Sequence, residues 1–438
     1  MKATRLLILL FCVAVFGVVV WRLFGARTSP PNLMLIVLDT TRADHLGAYG
    51  YERQTSPVLD SLAKEHWLFR YAVSAAPWTP PSVATLFTGL YPVAHGVMPP
   101  NSRELAREAS HRLHEQHLTI AELLQQHGYQ TSGITPNPWT KEEFGYHQGF
   151  ERYQFLNREV AGRISKEGVA EIDRMAKVNR PFFLYLHYLD PHDPYTPPEK
   201  YDRFSGPVSY REHDPRTLKF VNAYDGEILY MDAAIGSLLE HLKKRGLYDN
   251  THIVIVGDHG EQFKERGHLG HGFQLHNEEI HVPLIVKAPG GGRTIDYTVS
   301  TVDVFPTLVE LAGVPMPAFV QGGSLLNDKA ARGRIGVLSE IQRIYRQKAL
   351  VTLDGKKLII DYGKPDDATA ETTAGVFDRH RDYRERAPLD DRDELKQLFA
   401  DFEELFTGLS RERRTPDEGA TTPISEETLD QLKSLGYL

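Results

Sequence analysis

The sequence predicts a layered α/β fold built on a largely parallel central sheet. Three observations carry that reading. Continuous apolar runs recur at residues 33–38, 182–188 and 253–256, with a fourth at 283–290, as expected of strands covered on both faces. Helical patterning lies between them: residues 225–250 carry Ile228, Met231, Ile235, Leu238, Leu239 and Leu242 near helical period, and Gly246 supplies a stop. Asp or His stands just past three of the runs: Asp39, then Asp190 and His192, then Asp258 and His259. Sites in open α/β sheets form beyond the C-terminal ends of strands, so the three ends point to one shared site.

Taken in order, the chain opens with Lys2 and Arg5, an almost unbroken apolar stretch at 6–21, then Arg22 and Arg27. A cleaved signal peptide and a retained anchor compete for this segment. A small-x-small cleavage site is poor, because Phe24 stands two residues before Ala26. The reading is therefore a membrane anchor through an N-terminal helix, at the short end of the ~17–25 residues that span a bilayer. The catalytic part is then expected in the periplasm or outside the cell, tethered to the inner membrane. The single cysteine, Cys12, lies inside that stretch, which leaves the rest without a disulfide or a thiolate metal site. With 438 residues, 41% hydrophobic and 25% charged, the remainder is globular and too long for one ordinary core. A net charge of −8 argues against a nucleic-acid partner.

Residues 76–92 read APWTPPSVATLFTGLYP. Thr79 reads as a helix N-cap with Pro80 at the first helical position and Gly89 as the stop. A helix start is also an anion site, and it lowers the pKa of a hydroxyl held there. Asp39, Asp258 and His259 together form a hard-to-borderline metal set. Two bare carboxylates about 4 Å apart repel by ~4 kcal/mol at an effective dielectric of 20, and a divalent cation removes that cost. The histidine-rich stretch 266–283 contains His268, His271, His276 and His281. It does not form H-E-x-x-H, so a zincin is rejected. Its glycines suit a loop that approaches a ligand closely; a surface loop with spare histidines is the alternative.

Four segments, NLMLIVLDTTRADHLGAYGY, TPPSVATLFTGLYP, GDHGE and HGFQLHNEEIHVPLIVKAPG, resemble the sulfatase family of the alkaline phosphatase superfamily over residues 32–314. The resemblance implies an alkaline-phosphatase-like α/β/α sandwich and a covalent ester intermediate. It implies Asp39, Thr79, Asp258 and His259 as metal ligands and Thr79 as nucleophile. His192 and His271 are implied at substrate and leaving group, with Asn137 near the family's substrate-binding Gly-Lys motif. The departures are specific. A typical sulfatase carries C-x-P-S-R, whose cysteine becomes formylglycine; here Thr79 replaces the cysteine and Val83 the arginine, and Ser82 comes three places too late. The Gly-Lys motif is absent, and the second Asp after Asp39 is Thr40.

Thr79 instead resembles the threonine nucleophile of the superfamily's phosphoethanolamine and phosphoglycerol transferases. The expected function is a metal-dependent hydrolase or transferase cleaving phosphate or sulfate esters through Thr79. Two alternatives stand beside it: a true sulfatase using Thr79 or a metal-bound water, and a non-catalytic, membrane-anchored binding protein with a degenerate site. One divalent ion is expected. Its imidazole ligand favours zinc or manganese over calcium or magnesium, and Asp190, His192 and His271 are candidates for a second.

The texture changes past residue 314. Short strand-like runs, with Asp354-Gly355 as a hairpin turn, predict a small antiparallel sheet at about 332–378 and then a helix. The expected organisation is anchor and linker at 1–31, catalytic domain at 32–331, a small α+β subdomain at 332–408, and a mobile tail with a terminal helix at 409–438.

Overall fold

Strand β1 (Asn32–Leu38) lies near the middle of a nine-stranded sheet, with all its residues buried. Its alternate side chains enter two different cores: Leu33, Leu35 and Val37 face one, and Met34, Ile36 and Leu38 the other. A strand covered on both faces has no position for a polar side chain, hence the unbroken apolar run. The computed structural model describes residues 30–97, 112–208, 214–364, 367, 369–411, 427, 430 and 431.

The other strands of this part are β2 (Trp67–Val73), β3 (Gln130–Thr135), β4 (Arg152–Phe155), β5 (Phe182–Tyr188), β6 (Thr251–Gly257), β7 (Gln262–Phe263), β8 (Leu269–Gly270), β9 (His281–Val282), β10 (Leu284–Lys287) and β11 (Arg293–Ser300). The sheet order is β11-β2-β10-β6-β1-β5-β3-β4, with β9 beside β2, while β7 and β8 form a separate ribbon. Pairs β1–β5, β1–β6, β3–β5, β3–β4 and β2–β11 are parallel; β10 runs against β6 and β2. The C-terminal ends of β1, β3, β5 and β6 therefore open on one edge.

Helices α1 (Pro57–Glu65), α2 (Thr79–Thr88), α3 (Ala161–Met175), α4 (Pro215–Lys244) and α5 (Val304–Ala312) cover the faces. Helices α2 and α5 pack on the first core, and α1, α3 and α4 on the second, giving the α/β/α sandwich. Helix α4 starts ten residues before the apolar period suggested. Asp214 caps it, accepting from the N–H of Arg216 and Thr217, and Pro215 fills the first turn.

Strands β12 (Gly336–Gln342), β13 (Arg346–Thr352), β14 (Lys356–Asp361) and β15 (Thr373–Asp378) form an antiparallel sheet in chain order. Leu338, Leu350, Leu358 and Ile360 pack on helix α6 (Arg392–Arg411) through Leu398 and Phe402. Val337, Ile341, Ala349 and Val351 face Val73, Leu275 and Ile280 of the larger part. The N–H of Glu340 donates to the Ala75 carbonyl at 3.0 Å, which ties β12 to the segment before Thr79. Among the described residues no helix is long and apolar enough to cross a membrane. The anchor expected at 1–31 and the tail expected at 409–438 lie almost wholly outside those residues.

Gly260 marks a place near the sheet edge where the main chain packs tightly. Its N–H donates to the Glu279 carbonyl at 2.7 Å. A Cβ at this position would overlap the Glu278 carbonyl oxygen and press on Arg42 Cγ at 3.2 Å. Both obstacles are packed, one of them backbone. Gly260→Ala is expected to destabilise the protein by about 1–3 kcal/mol, as overpacking does. A urea midpoint equal to that of the wild type would show that the two segments part freely.

Candidate active site

Asp39 is the first residue past β1, and its N–H donates to the Tyr188 carbonyl at 2.9 Å, prolonging the ladder to β5. Asp258 and His259 come directly after β6, the neighbour on the other side. The chain turns sharply at Thr40, which takes φ +48°, a conformation costly for a β-branched residue. The turn lets the Thr40 N–H donate to Asp258 Oδ1 at 3.2 Å.

The donors are shared unevenly. Asp39 Oδ2 accepts from His187 Nε2 at 2.8 Å and Asn137 Nδ2 at 2.7 Å. Asp258 Oδ1 accepts from the N–H groups of Thr40 and His259. Asp39 Oδ1 and Asp258 Oδ2 are buried with no hydrogen-bond partner. His259 Nδ1 lies 3.0 Å from the Gly260 carbonyl. A carbonyl only accepts, so Nδ1 carries the proton and Nε2 offers its lone pair. That Nε2 lies 3.8 Å from Asp39 Oδ1 and 3.5 Å from Asp258 Oδ2. Among the described residues this is the cluster whose three donor atoms, one from each of Asp39, Asp258 and His259, fall within 4.8 Å of one another.

The electrostatics fit a cation. Burial, and then the neighbouring Asp39 charge, push the Asp258 carboxyl well above its ordinary range. Burial would raise Asp39 as well. The hydrogen bond from His187, with electrostatic help from His187 and His192, outweighs it and holds Asp39 low. Burial and the neighbouring His271 push His259 well below its ordinary value, so its imidazole is neutral. Two carboxylate oxygens and a neutral imidazole, all buried and converging, are the donors a borderline divalent cation takes.

Thr79 is fully buried and does not cap its helix. Trp78 occupies the cap position without a side-chain bond, and Thr79 begins the helix itself. Its Oγ1 turns to the cluster instead, 3.2 Å from His259 Nε2 and 3.3 Å from Asn137 Nδ2. Gly89 ends the helix at φ +67°, as the sequence indicated. Pro80 and Pro81 follow Thr79 and carry no N–H, so this helix start offers few backbone donors to an anion. Side chains must supply them.

His271 and His192 stand beside the cluster. The His271 ring is 4.4 Å from that of His259 and 5.0 Å from that of His192. His271 Nδ1 lies 3.2 Å from Glu261 Oε1, and burial pushes the Glu261 carboxyl up to about 8. Burial and the neighbouring His192 hold His271 well below its ordinary value. His192 Nδ1 donates to the Asp193 carbonyl at 2.7 Å.

The fold thus brings together Asp39, Thr79, Asn137, His192, Asp258, His259 and His271. It does not bring in Asp190, whose Oδ1 accepts the Ala161 N–H at 2.9 Å at the start of α3. The second metal set of Asp190, His192 and His271 therefore does not form. Sequence reasoning passed over His187 and Glu261. His187 had a signal, a histidine inside the buried strand FFLYLHY. Tyr185 supports it, its hydroxyl 2.7 Å from His187 Nδ1.

A family model described as sulfatase matches residues 31–314. An ulvan-active sulfatase of Formosa agariphila is 28% identical over 340 residues, covering 68% of this chain and 64% of that protein. The match thus spans less than two thirds of that relative's length. A solved protein in complex with its substrate D-glucosamine-2-N,6-O-disulfate superposes with TM-score 0.73 at 20% identity, over 90% of this chain and 100% of that one. A phosphonate monoester hydrolase of Agrobacterium radiobacter gives TM-score 0.69 at 21% identity, over 87% and 96%. At such identities the superpositions establish the fold.

His187 orients Asp39 from behind, so it is expected to tune cation binding without touching the ion. His187→Phe should weaken zinc or manganese binding by about 10–100-fold, the usual cost of losing such a partner. Competition with a chromogenic chelator measures it, and an unchanged affinity would remove His187 from this role.

Proposed function

Because the chain belongs to the sulfatase family, we propose that it is a metal-dependent hydrolase or transferase of phosphate or sulfate esters working through Thr79. One observation carries the reading: Thr79 Oγ1 lies 3.2 Å from His259 Nε2, beside the unpartnered oxygens of Asp39 and Asp258. The cation would be held by Asp39, Asp258, His259 and Thr79. When bound it neutralises the carboxylates and lowers the pKa of the hydroxyl. The imidazole favours zinc or manganese over calcium or magnesium.

The residues of the chain do the rest. Asn137 Nδ2 donates to Asp39 and to Thr79 Oγ1, fixing the hydroxyl against the carboxylate. Thr79 Oγ1 releases its proton to solvent and bonds to the phosphorus or sulfur as the ester bond to the leaving oxygen breaks. His192 is placed to give that oxygen its proton, and the neutral His271, with Glu261 against its Nδ1, to hydrogen-bond it. Water or an acceptor alcohol then displaces the group from Thr79, and the hydroxyl regains its proton.

A phosphate ester suits this nucleophile best. Formylglycine expels sulfate from a geminal diol, and a threonine ester has no second hydroxyl to do so. The sulfatase reading is the second one, favoured by the Formosa agariphila relative named for sulfate chemistry.

Thr79→Ala is expected to lower kcat/KM for an aryl phosphate by about 10³-fold or more while the cation stays bound, and Thr79→Ser to keep part of the rate. Initial rates on aryl phosphate, aryl phosphodiester and aryl sulfate, with zinc or manganese, decide the matter. Full activity in the alanine variant would overturn the mechanism, and a faster sulfate rate would give the second reading the site.

A further inference from the structure

We infer that Arg343, in the turn between β12 and β13, is a substrate-recognition residue that reads a second negative charge on the leaving group of the ester. The inference rests on the ester-cleaving reading above.

The argument starts from what the catalytic edge lacks. An anionic ester must meet positive charge or N–H donors beyond the cation. Val83 stands where the family pattern has arginine, the lysine motif is missing, and Pro80 and Pro81 remove backbone donors at the helix start. A permanent charge has to come from outside the central sheet.

The small sheet delivers one. Arg343 Nη1 donates to the His271 carbonyl at 3.3 Å, and its guanidinium carbon sits 5.5 Å from the Trp78 ring. Arg343 is thus bonded to one residue beside the cluster and stacked over the residue before Thr79. Gly272 makes the approach feasible, since a Cβ there would lie 2.7 Å from Arg343 Nη1. The turn is held from both sides. β12 and β13 pair in register from Gly336–Thr352 to Gln342–Arg346, and the Leu275 N–H donates to Gln347 Oε1 at 3.0 Å.

The same turn completes an aromatic wall. His268 stacks on Phe273 at 4.4 Å, with the rings only 9° apart, and Tyr345 meets His268 edge-on at 5.7 Å. Lys364 Nζ stands 5.8 Å from the Tyr345 ring. All three rings are partly exposed. Partly exposed rings beside the turn that carries Arg343, with Lys364 against Tyr345, suit a ring that bears an anionic substituent. A recess beside His192 is mixed in character: Arg158 lines it with Glu159, Asp190, Asp193 and Glu227, and burial pushes the Glu227 carboxyl up to about 9 and that of Asp190 to about 7. An anionic leaving group is drawn to the side of Arg343 and Lys364.

The test compares phenyl phosphate with 4-carboxyphenyl phosphate on the full, metal-loaded chain. Arg343→Gln is expected to lower the ratio of kcat/KM for the carboxylated over the plain ester by about tenfold or more, mainly through KM, and Arg343→Lys to restore part of it. An unchanged ratio would overturn the proposal. So would an equal loss on both esters carried by kcat, which would place Arg343 on the reacting group. Titration calorimetry with 4-hydroxybenzoate and phenol, the two leaving groups, decides the same point without turnover. Arg343→Gln should weaken 4-hydroxybenzoate selectively, and equal effects on the two ligands reject the assignment. If the wild type cleaves no ester, the proposed function fails, while the calorimetric comparison still decides Arg343.

Discussion

Asp39 and Asp258 end neighbouring parallel strands, so their carboxylates emerge side by side in a fully buried place. At about 4 Å and an effective dielectric of 20, such a pair repels by ~4 kcal/mol. The surroundings follow from that constraint. One oxygen of each carboxylate is satisfied by fixed donors: His187 and Asn137 on Asp39, and two backbone N–H groups on Asp258. The other two oxygens are left facing His259 Nε2. The strained turn at Thr40 belongs to the same solution, because only a chain that reverses at once can place its N–H on Asp258. Such strain persists where the surrounding structure over-determines it.

Thr79 gains its character from this arrangement and not from its own helix. With Trp78 at the cap position and two prolines after it, the helix start contributes little hydrogen bonding of its own. The hydroxyl is oriented from across the sheet edge, by Asn137 after β3 and His259 after β6. A secondary alcohol alone is a poor nucleophile, so the role proposed for Thr79 rests on these neighbours. The small C-terminal sheet enters the same logic. Its inner face is buried against Val73, Leu275 and Ile280, and that packing carries the Arg343 turn to the rim beside His271. A sheet without a motif of its own thereby borders the candidate site.

Much of this was legible in the residues. A strand buried on both faces can only be written as an unbroken apolar run, so β1, β5 and β6 announce themselves, and the polar residue at each end is conspicuous by contrast. Asp39, Asp258 and His259 were found that way, and the hairpin at Asp354-Gly355 by its turn chemistry. His187 was less visible, because a lone histidine in an apolar strand reads the same whether it packs or orients a ligand. Asp190 misled for the converse reason: it follows a buried strand as Asp39 does, but it stands one residue further past β5 than Asp39 past β1, and its carboxylate turns back to the start of α3.

What the sequence determined by itself was local and periodic: which segments bury both faces, where each stops, and which chemical groups stand at the stops. Tertiary structure alone decided which ends share an edge, which carboxylate oxygens are left without donors, and that Thr79 faces His259 when its local pattern says cap. It alone brought Arg343 beside His271, 72 residues away in the chain. The physical reason is that strand order and subdomain docking are set by the summed burial of many apolar side chains. No single spacing in the sequence records the result, while the chemistry of the site depends on distances of 3 to 4 Å between residues that this packing brings together.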